Sequence, residues 1–255
     1  MKNFQYDKIP VKIFETNQAL GAAAAADLEK VIKERIAETG EVAIILATGN
    51  SQLSFLHALR QLEGISWNNV TIFHMDEYLG MKASHPASFR RYIHEKLVDF
   101  VHPKMFYGIE GETPNIDSEL ARYSSLLQEY QPVACVLGIG ENGHLAFNDP
   151  PADFNTEKDI QVVNLAESAR QQQVGEGHFA ALEDVPKQAV TLTIPALLRP
   201  SHVLAVVPES RKAPAVKAAL EGKVSPDCPA SILRSQTHAT LYLDQDSASC
   251  LDLRF

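Results

Sequence analysis

The chain runs to 255 residues, 45% of them hydrophobic, enough to bury one substantial core as a single α/β domain or, failing that, two small ones. A net charge of −9 argues against a nucleic-acid surface, which needs clustered Lys and Arg, but leaves room for an anionic small molecule held by a few local donors. No apolar run approaches the roughly 20 residues of a membrane span, and residues 1–10 lack the basic-then-apolar plan of a secretory leader.

Residues 16–37 are Ala-rich with Leu20, Leu28, Ile32 and Ile36 at helical spacing, and Gly40 closes the pattern. A continuous apolar run over 42–47 predicts a buried strand, followed by Thr48-Gly49-Asn50-Ser51 and a helix over 52–62. The next strand, 70–73, ends in His74-Met75-Asp76-Glu77-Tyr78. Helical patterns follow over 86–100 and 116–130, then a strand over 133–137 that runs straight into a glycine-rich turn. Residues 151–186 are the least regular stretch, polar and long, and are expected to form a lid. A strand over 203–207, a helix over 211–220 and a late strand over 240–243 complete the pattern. Repeated βα units imply an α/β fold in one domain, 1–255, with a mostly parallel sheet covered on both faces. Cys135, Cys228 and Cys250, odd in number and without a CxxC, read as reduced thiols of a cytoplasmic protein.

The polar clusters fall where strands end, along the one edge at which an open α/β sheet binds ligands. Thr48 to Ser51 offers backbone N–H groups at a helix start and two hydroxyls, a cradle suited to phosphate. No Gly-Lys-Ser/Thr follows, so this is not a nucleotide-triphosphate loop. Taken alone it is equally an ordinary turn and cap, and Lys212 alone reads as a solvated surface lysine. Asp76 and Glu77 supply adjacent carboxylates, one of which can serve as a general base if burial tunes it; in isolation the pair reads more readily as a solvated turn. Gly138, Gly140 and Gly143 surround His144, whose imidazole moves protons near neutral pH. A carboxylate and a histidine on neighbouring strand ends suit proton transfer next to a carbonyl, or ester hydrolysis. The histidines and carboxylates show no metal-ligand spacing, and no GxSxG elbow occurs, so neither a metal nor a serine nucleophile is expected.

Three motifs resemble the glucosamine-6-phosphate deaminase/isomerase family, within the wider group that includes 6-phosphogluconolactonases. They are the Thr48-Gly49 loop, His74-Met75-Asp76-Glu77-Tyr78-Leu79-Gly80 with His85-Pro86-Ala87-Ser88-Phe89 after it, and Gly138 to Pro150 with its Asn142-Gly143-His144 and Ala146-Phe147-Asn148-Asp149. Weaker likeness continues through Val185 to Thr191 and Ser210 to Ala213. The resemblance implies a Rossmann-like sheet and cofactor-free, metal-free aldose–ketose isomerisation with loss of ammonia. It makes Asp76 the shuttle for a proton between C2 and C1 of the opened sugar. His144 opens the pyranose ring, and Asn142 and Asp149 orient it and relay protons. Gly49, Asn50, Ser51 and Lys212 hold the phosphate, and Thr48, Glu77 and Gly143 are placed with them as substrate-binding residues.

This chain departs from the family in five places. Asp149 stands where the family commonly has Glu; Asn142 stands where some members have Asp. The usual Thr-Gly-Gly-Thr-Pro loop reads Thr48-Gly49-Asn50-Ser51-Gln52. Near 175–179, where the family carries a phosphate-binding lid arginine, this segment offers His178, and Arg170 lies a turn or two earlier. The basic residues of the family's allosteric site find no counterparts. Three readings follow: an amino-sugar-phosphate deaminase, a phosphogluconolactone hydrolase, or a sugar-phosphate sensor with weakened chemistry. The partner in each is a small sugar phosphate, not nucleic acid or membrane; a homo-oligomer stays open.

Overall fold

In the computed structural model, which describes residues 1–253, the chain opens with a hairpin where the sequence suggests only a polar terminus. β1 (Lys2–Tyr6) pairs antiparallel with β2 (Ile9–Phe14), whose Ile9, Val11 and Ile13 alternate with Pro10 and Lys12 and turn into the core. In α1 (Asn17–Thr39), Thr16 Oγ1 accepts the Ala19 N–H at 3.1 Å and Gly40, left-handed at φ 84°, ends the helix. Next come β3 (Val42–Leu46), α2 (Leu53–Leu59), β4 (Val70–His74) and β5 (Asp76–Tyr78). The helix predicted over 86–100 starts later, because Ser88 caps its first turn: α3 (Phe89–Ile93), a π turn (His94–Val98) and α4 (Asp99–Val101) run on from one another. β6 (Met105–Tyr107), α5 (Ile116–Tyr130), β7 (Ala134–Leu137), β8 (Ile160–Asn164) and α6 (Glu167–Gly175) follow. β9 (Gln188–Leu192), α7 (Ile194–Leu198), β10 (His202–Val207), α8 (Ala213–Glu221) and β11 (Ala239–Asp244) complete the order.

Eight strands form one sheet, β1-β2-β11-β10-β7-β3-β4-β6, parallel throughout except for the β1–β2 hairpin. From β3 the chain steps outward to β4 and β6 on one side; from β7 it steps to β10 and β11 on the other. The reversal between β3 and β7 leaves a crevice at their carboxyl ends, where doubly wound sheets hold ligands. Alternate β3 residues bury on opposite faces: Val42, Ile44 and Leu46 against α1, Ala43 and Ile45 in the core that includes α5 and α8.

A second sheet, β5-β9-β8, is antiparallel and was not expected. Residues 151–186 are more regular than expected, since 160–164 is a strand and 167–175 a helix. A third apolar cluster (Tyr78, Phe89, Phe147, Leu165, Val185 and Ala189) ties this segment to β5 and to the loop after β7. Among the described residues no helix is long and apolar enough to cross a membrane.

Candidate active site

The turn after β3 depends on Gly49, whose φ of 94° and ψ of 168° suit glycine alone. Its carbonyl accepts the Tyr92 hydroxyl at 2.7 Å and the Gln52 N–H at 3.1 Å, so the loop is held from both sides. Gln52 is buried, and its amide donates to Val206 O at 3.2 Å, locking the loop against β10. At the end of β10, Glu209 takes a left-handed φ of 80°. Both carboxylate oxygens of Asp244 accept its N–H, at 3.2 and 3.1 Å, and hold that unfavourable turn. The turn brings Lys212 inward until it is only 2% exposed, unlike the solvated lysine that its sequence context suggests. Burial pushes the Lys212 ammonium below its usual range, while the nearby Glu176 carboxylate pulls it back.

β4 passes through Met75 directly into β5, so the chain leaves one sheet for the other at Asp76, which is paired with Thr191. Asp76 is 7% exposed and its Oδ1 has no hydrogen-bond partner. Burial, with the neighbouring Glu77 charge adding to it, pushes its carboxyl up to about 8. His74 plays no part: it is fully buried, Nε2 accepts the Ile109 N–H at 2.8 Å, and burial lowers it to about 3, a neutral structural ring.

Glu77 corrects its expected placement among the substrate contacts. It is fully buried, and its carboxylate accepts from Ser88 Oγ (2.7 Å), Tyr78 N (2.9 Å), Arg90 N (3.1 Å) and Phe89 N (3.3 Å). Burial outweighs these bonds and keeps its carboxyl above the usual range. Glu77 therefore anchors the N-terminus of α3. Glu77→Ala strands several buried donors together with Arg90 and is expected to cost about 3–5 kcal/mol, read as a lower midpoint in urea denaturation.

The loop after β7 closes on itself through Gly140 N–H to His144 O (2.9 Å) and Gly143 N–H to Gly140 O (2.9 Å), with Gly143 at φ 86°. Asn142 Oδ1 accepts the His144 N–H at 3.1 Å, and its Nδ2 donates to Asp149 Oδ1 at 2.9 Å. Asp149 Oδ2 accepts the Ala166 N–H at 2.9 Å. His144 Nδ1 lies 3.1 Å from Asp149 Oδ1, at an angle poor for a hydrogen bond but close enough for an ion pair. Burial raises the Asp149 carboxyl, yet His144, Asn142 and the Ala166 amide more than offset this and leave it below the usual range. The shorter side chain thus still reaches the imidazole. The ring lies so close over Gly140 that a Cβ there would stand 2.2 Å from Nε2.

Thr48, Gly49, Ser51, Asp76, His144 and Lys212 line one cleft, at the crevice between the β3 and β7 ends. Asn142, Gly143 and Asp149 stand behind that lining, and Asn50 turns aside, its amide donating to Glu176 O at 3.2 Å. Gln172, Gln173 and Glu176, at the end of α6, close the cleft from above and were not singled out in the sequence. Their trace is slight: Ala169 and Gln173 are buried four residues apart on a helix whose only other apolar side chain is Val174. Glu176 sits beside the cradle: Oε1 is 3.2 Å from Arg211 and 3.9 Å from Lys212 Nζ, and Oε2 is 3.4 Å from His178 Nε2. Burial works against its ionisation, but His178, Lys212 and Arg211 prevail and hold it at about 2.

Residues 15–242 match the family model described as glucosamine-6-phosphate isomerases/6-phosphogluconolactonase. A glucosamine-6-phosphate deaminase of Exiguobacterium sibiricum is 35% identical over 87% of this chain and 86% of its own length. One from Bacillus cereus is 33% identical over 94% and 88%. Among solved structures, a monomeric glucosamine-6-phosphate deaminase superposes with a TM-score of 0.87 at 30% identity, covering 94% of this chain and 99% of its own. A 6-phosphogluconolactonase from Shewanella baltica reaches a TM-score of 0.77 at 19% identity over 94% and 99%, a likeness of fold alone.

Proposed function

Given that the chain belongs to the family of glucosamine-6-phosphate isomerases and 6-phosphogluconolactonases, we propose that it converts glucosamine 6-phosphate and water to fructose 6-phosphate and ammonia. In this reading the phosphate lies against Thr48, Gly49, Ser51 and Lys212, and the sugar extends toward Asp76 and His144. His144 accepts the O1 proton of the closed ring and returns a proton to O5 as the C1–O5 bond breaks, giving the open-chain aldehyde. Asn142 and Asp149 hold the ring tautomer and stabilise the cation between those two transfers. Asp76 then takes the C2 proton, its electron pair forms the C1–C2 double bond as the carbonyl pair moves to O1, and O1 takes a proton from water. The same carboxyl returns a proton to C1 as the nitrogen pair moves into the C2–N bond and a nitrogen proton passes to the hydroxide. The nitrogen on C2 becomes an imine, which water hydrolyses to the ketone and ammonia.

The observation that supports this reading best is Asp76, a buried carboxyl with an unpartnered oxygen that lines the same cleft as the histidine and the lysine. A carboxyl kept from full solvation, with a free oxygen, is a stronger base than a solvated aspartate. We place the reaction in the cytoplasm, where Cys135, Cys228 and Cys250, all free thiols, stay reduced. The test is a substrate panel of glucosamine 6-phosphate, galactosamine 6-phosphate and 6-phosphogluconolactone, with ammonia and acid release followed separately. Ammonia from an amino-sugar phosphate is expected. Acid release from the lactone without ammonia from either amino sugar overturns the reading.

A further inference from the structure

The end of the cleft assigned to phosphate already holds an anion of the protein's own. The Glu176 carboxylate lies between Lys212 (3.9 Å) and Arg211 (3.2 Å) and is 5% exposed. A Cβ placed on Gly49 would stand 3.7 Å from its Oε2, so the carboxylate lies directly over the glycine of the cradle. Neither cation is free to neutralise a second anion. Arg211 is also held by Glu209 at 2.6 Å and Glu141 at 3.5 Å. Lys212, among the described residues, has Glu176 as its ion-pair partner. A phosphate entering beside a fixed Glu176 would set two anions in contact over one ammonium. The cleft is also small: its cavity of about 70 Å³ falls short of the roughly 300 Å³ at which small-molecule sites begin.

We infer that Glu176 is an internal occupant of the phosphate cradle, which must withdraw before a sugar phosphate can bind and which thereby weakens the binding of any anion at this end of the site. The backbone permits the withdrawal. Glu176 is flanked by Gly175 and Gly177, neither of which has any atom within 4 Å of where a Cβ would lie, and Gly177 already takes a φ of 80°. The chain beyond is anchored, since Phe179 packs edge-on against Tyr78 at 5.5 Å between ring centroids. Movement is therefore confined to the end of α6 and the side chain. The penalty falls on every anion alike. A sugar phosphate offsets it through contacts further along the cleft, and bare phosphate does not. The inference rests on the proposed function only in taking this cradle as an anion site.

The test is calorimetric titration of inorganic phosphate into the intact protein and into Glu176→Gln, with Glu176→Ala as a second variant and circular dichroism to confirm that each is folded. At least tenfold tighter phosphate binding is expected in the folded variants, and its loss when Lys212→Met is added would place the phosphate in the cradle. Unchanged affinity in folded variants overturns the inference, because Glu176 would not be competing. Weaker affinity overturns it as well, because Glu176 would then be recognising the ligand. No turnover is measured, so absence of deamination by the intact protein would count against the proposed function and leave this result standing.

Discussion

Asp76→Asn is expected to lower kcat on glucosamine 6-phosphate by roughly 10²–10⁴-fold, the range for loss of a general base, while the dissociation constant stays within a few-fold. The amide keeps the shape of the carboxyl and cannot accept the C2 proton, so the loss falls on the transition state and not on binding. The same substitution should make the protein more stable. With the carboxyl raised to about 8 by burial and by Glu77, the folded state binds a proton that the unfolded state, titrating near 4, has released. Stability contributed by the protonated form is present below pH 4 and declines as pH rises toward 8. The substituted amide, which does not titrate, carries no such slope. The variant's advantage should be negligible at pH 4 and on the order of a few kcal/mol at pH 8, since each pH unit between the two values is worth about 1.4 kcal/mol. Melting temperatures of both proteins across that range read it directly. An advantage that is flat with pH would mean that Asp76 is solvated and has no raised affinity for protons.

The second large effect concerns the imidazole. His144→Gln should lower the rate far more on the ring-closed substrate than on an open-chain analogue, because ring opening is the step assigned to it. Equal losses on both would remove that role. Gly140→Ala reaches the same end without touching the histidine. A Cβ at 2.2 Å from Nε2 leaves the ring no room. Gly140 is not among the residues at positive φ, so alanine suits its backbone, and the clash is with the movable end of a side chain. The imidazole should swing away, with little change in melting temperature. A loss of about 10²-fold, the scale for misplacing a catalytic group by about an ångström, should again fall mainly on the closed ring. A fully active Gly140→Ala would show that the imidazole acts from elsewhere.

The βα periodicity of the sequence exposed the strand ends at Thr48, Asp76, Gly138 and Glu209, because buried parallel strands read as unbroken apolar runs. It did not expose β8, because Ile160, Val162 and Val163 form only a short apolar run inside a polar segment and pair with β9 outside the parallel sheet. The Asp76-Glu77 pair shows where one-dimensional reading stops. Successive strand residues face opposite sides, so only one of these carboxylates can meet the cleft. The other, Glu77, turns to α3, and the pairing of β5 with β9 decides which. The Asn50 side chain shows the same limit: a polar residue in a strand–helix turn suits a ligand and a lid carbonyl equally well, and here its amide donates to Glu176 O. Glu176 lay on a helix with too few apolar residues to mark a buried face, and only the fold sets its carboxylate against Lys212. Asn142 and Asp149, by contrast, were visible from the loop motif, and the folded loop sets both beside His144.

The most direct measurement is ammonia release from glucosamine 6-phosphate by the intact protein and by Asp76→Asn, assayed side by side at equal concentration with both shown to bind the sugar. A steady release by the first that falls at least a hundredfold in the second is the predicted result. Release undiminished by the substitution, or no release by the intact protein at any substrate concentration, would contradict the assignment of this cleft to proton transfer on an amino sugar.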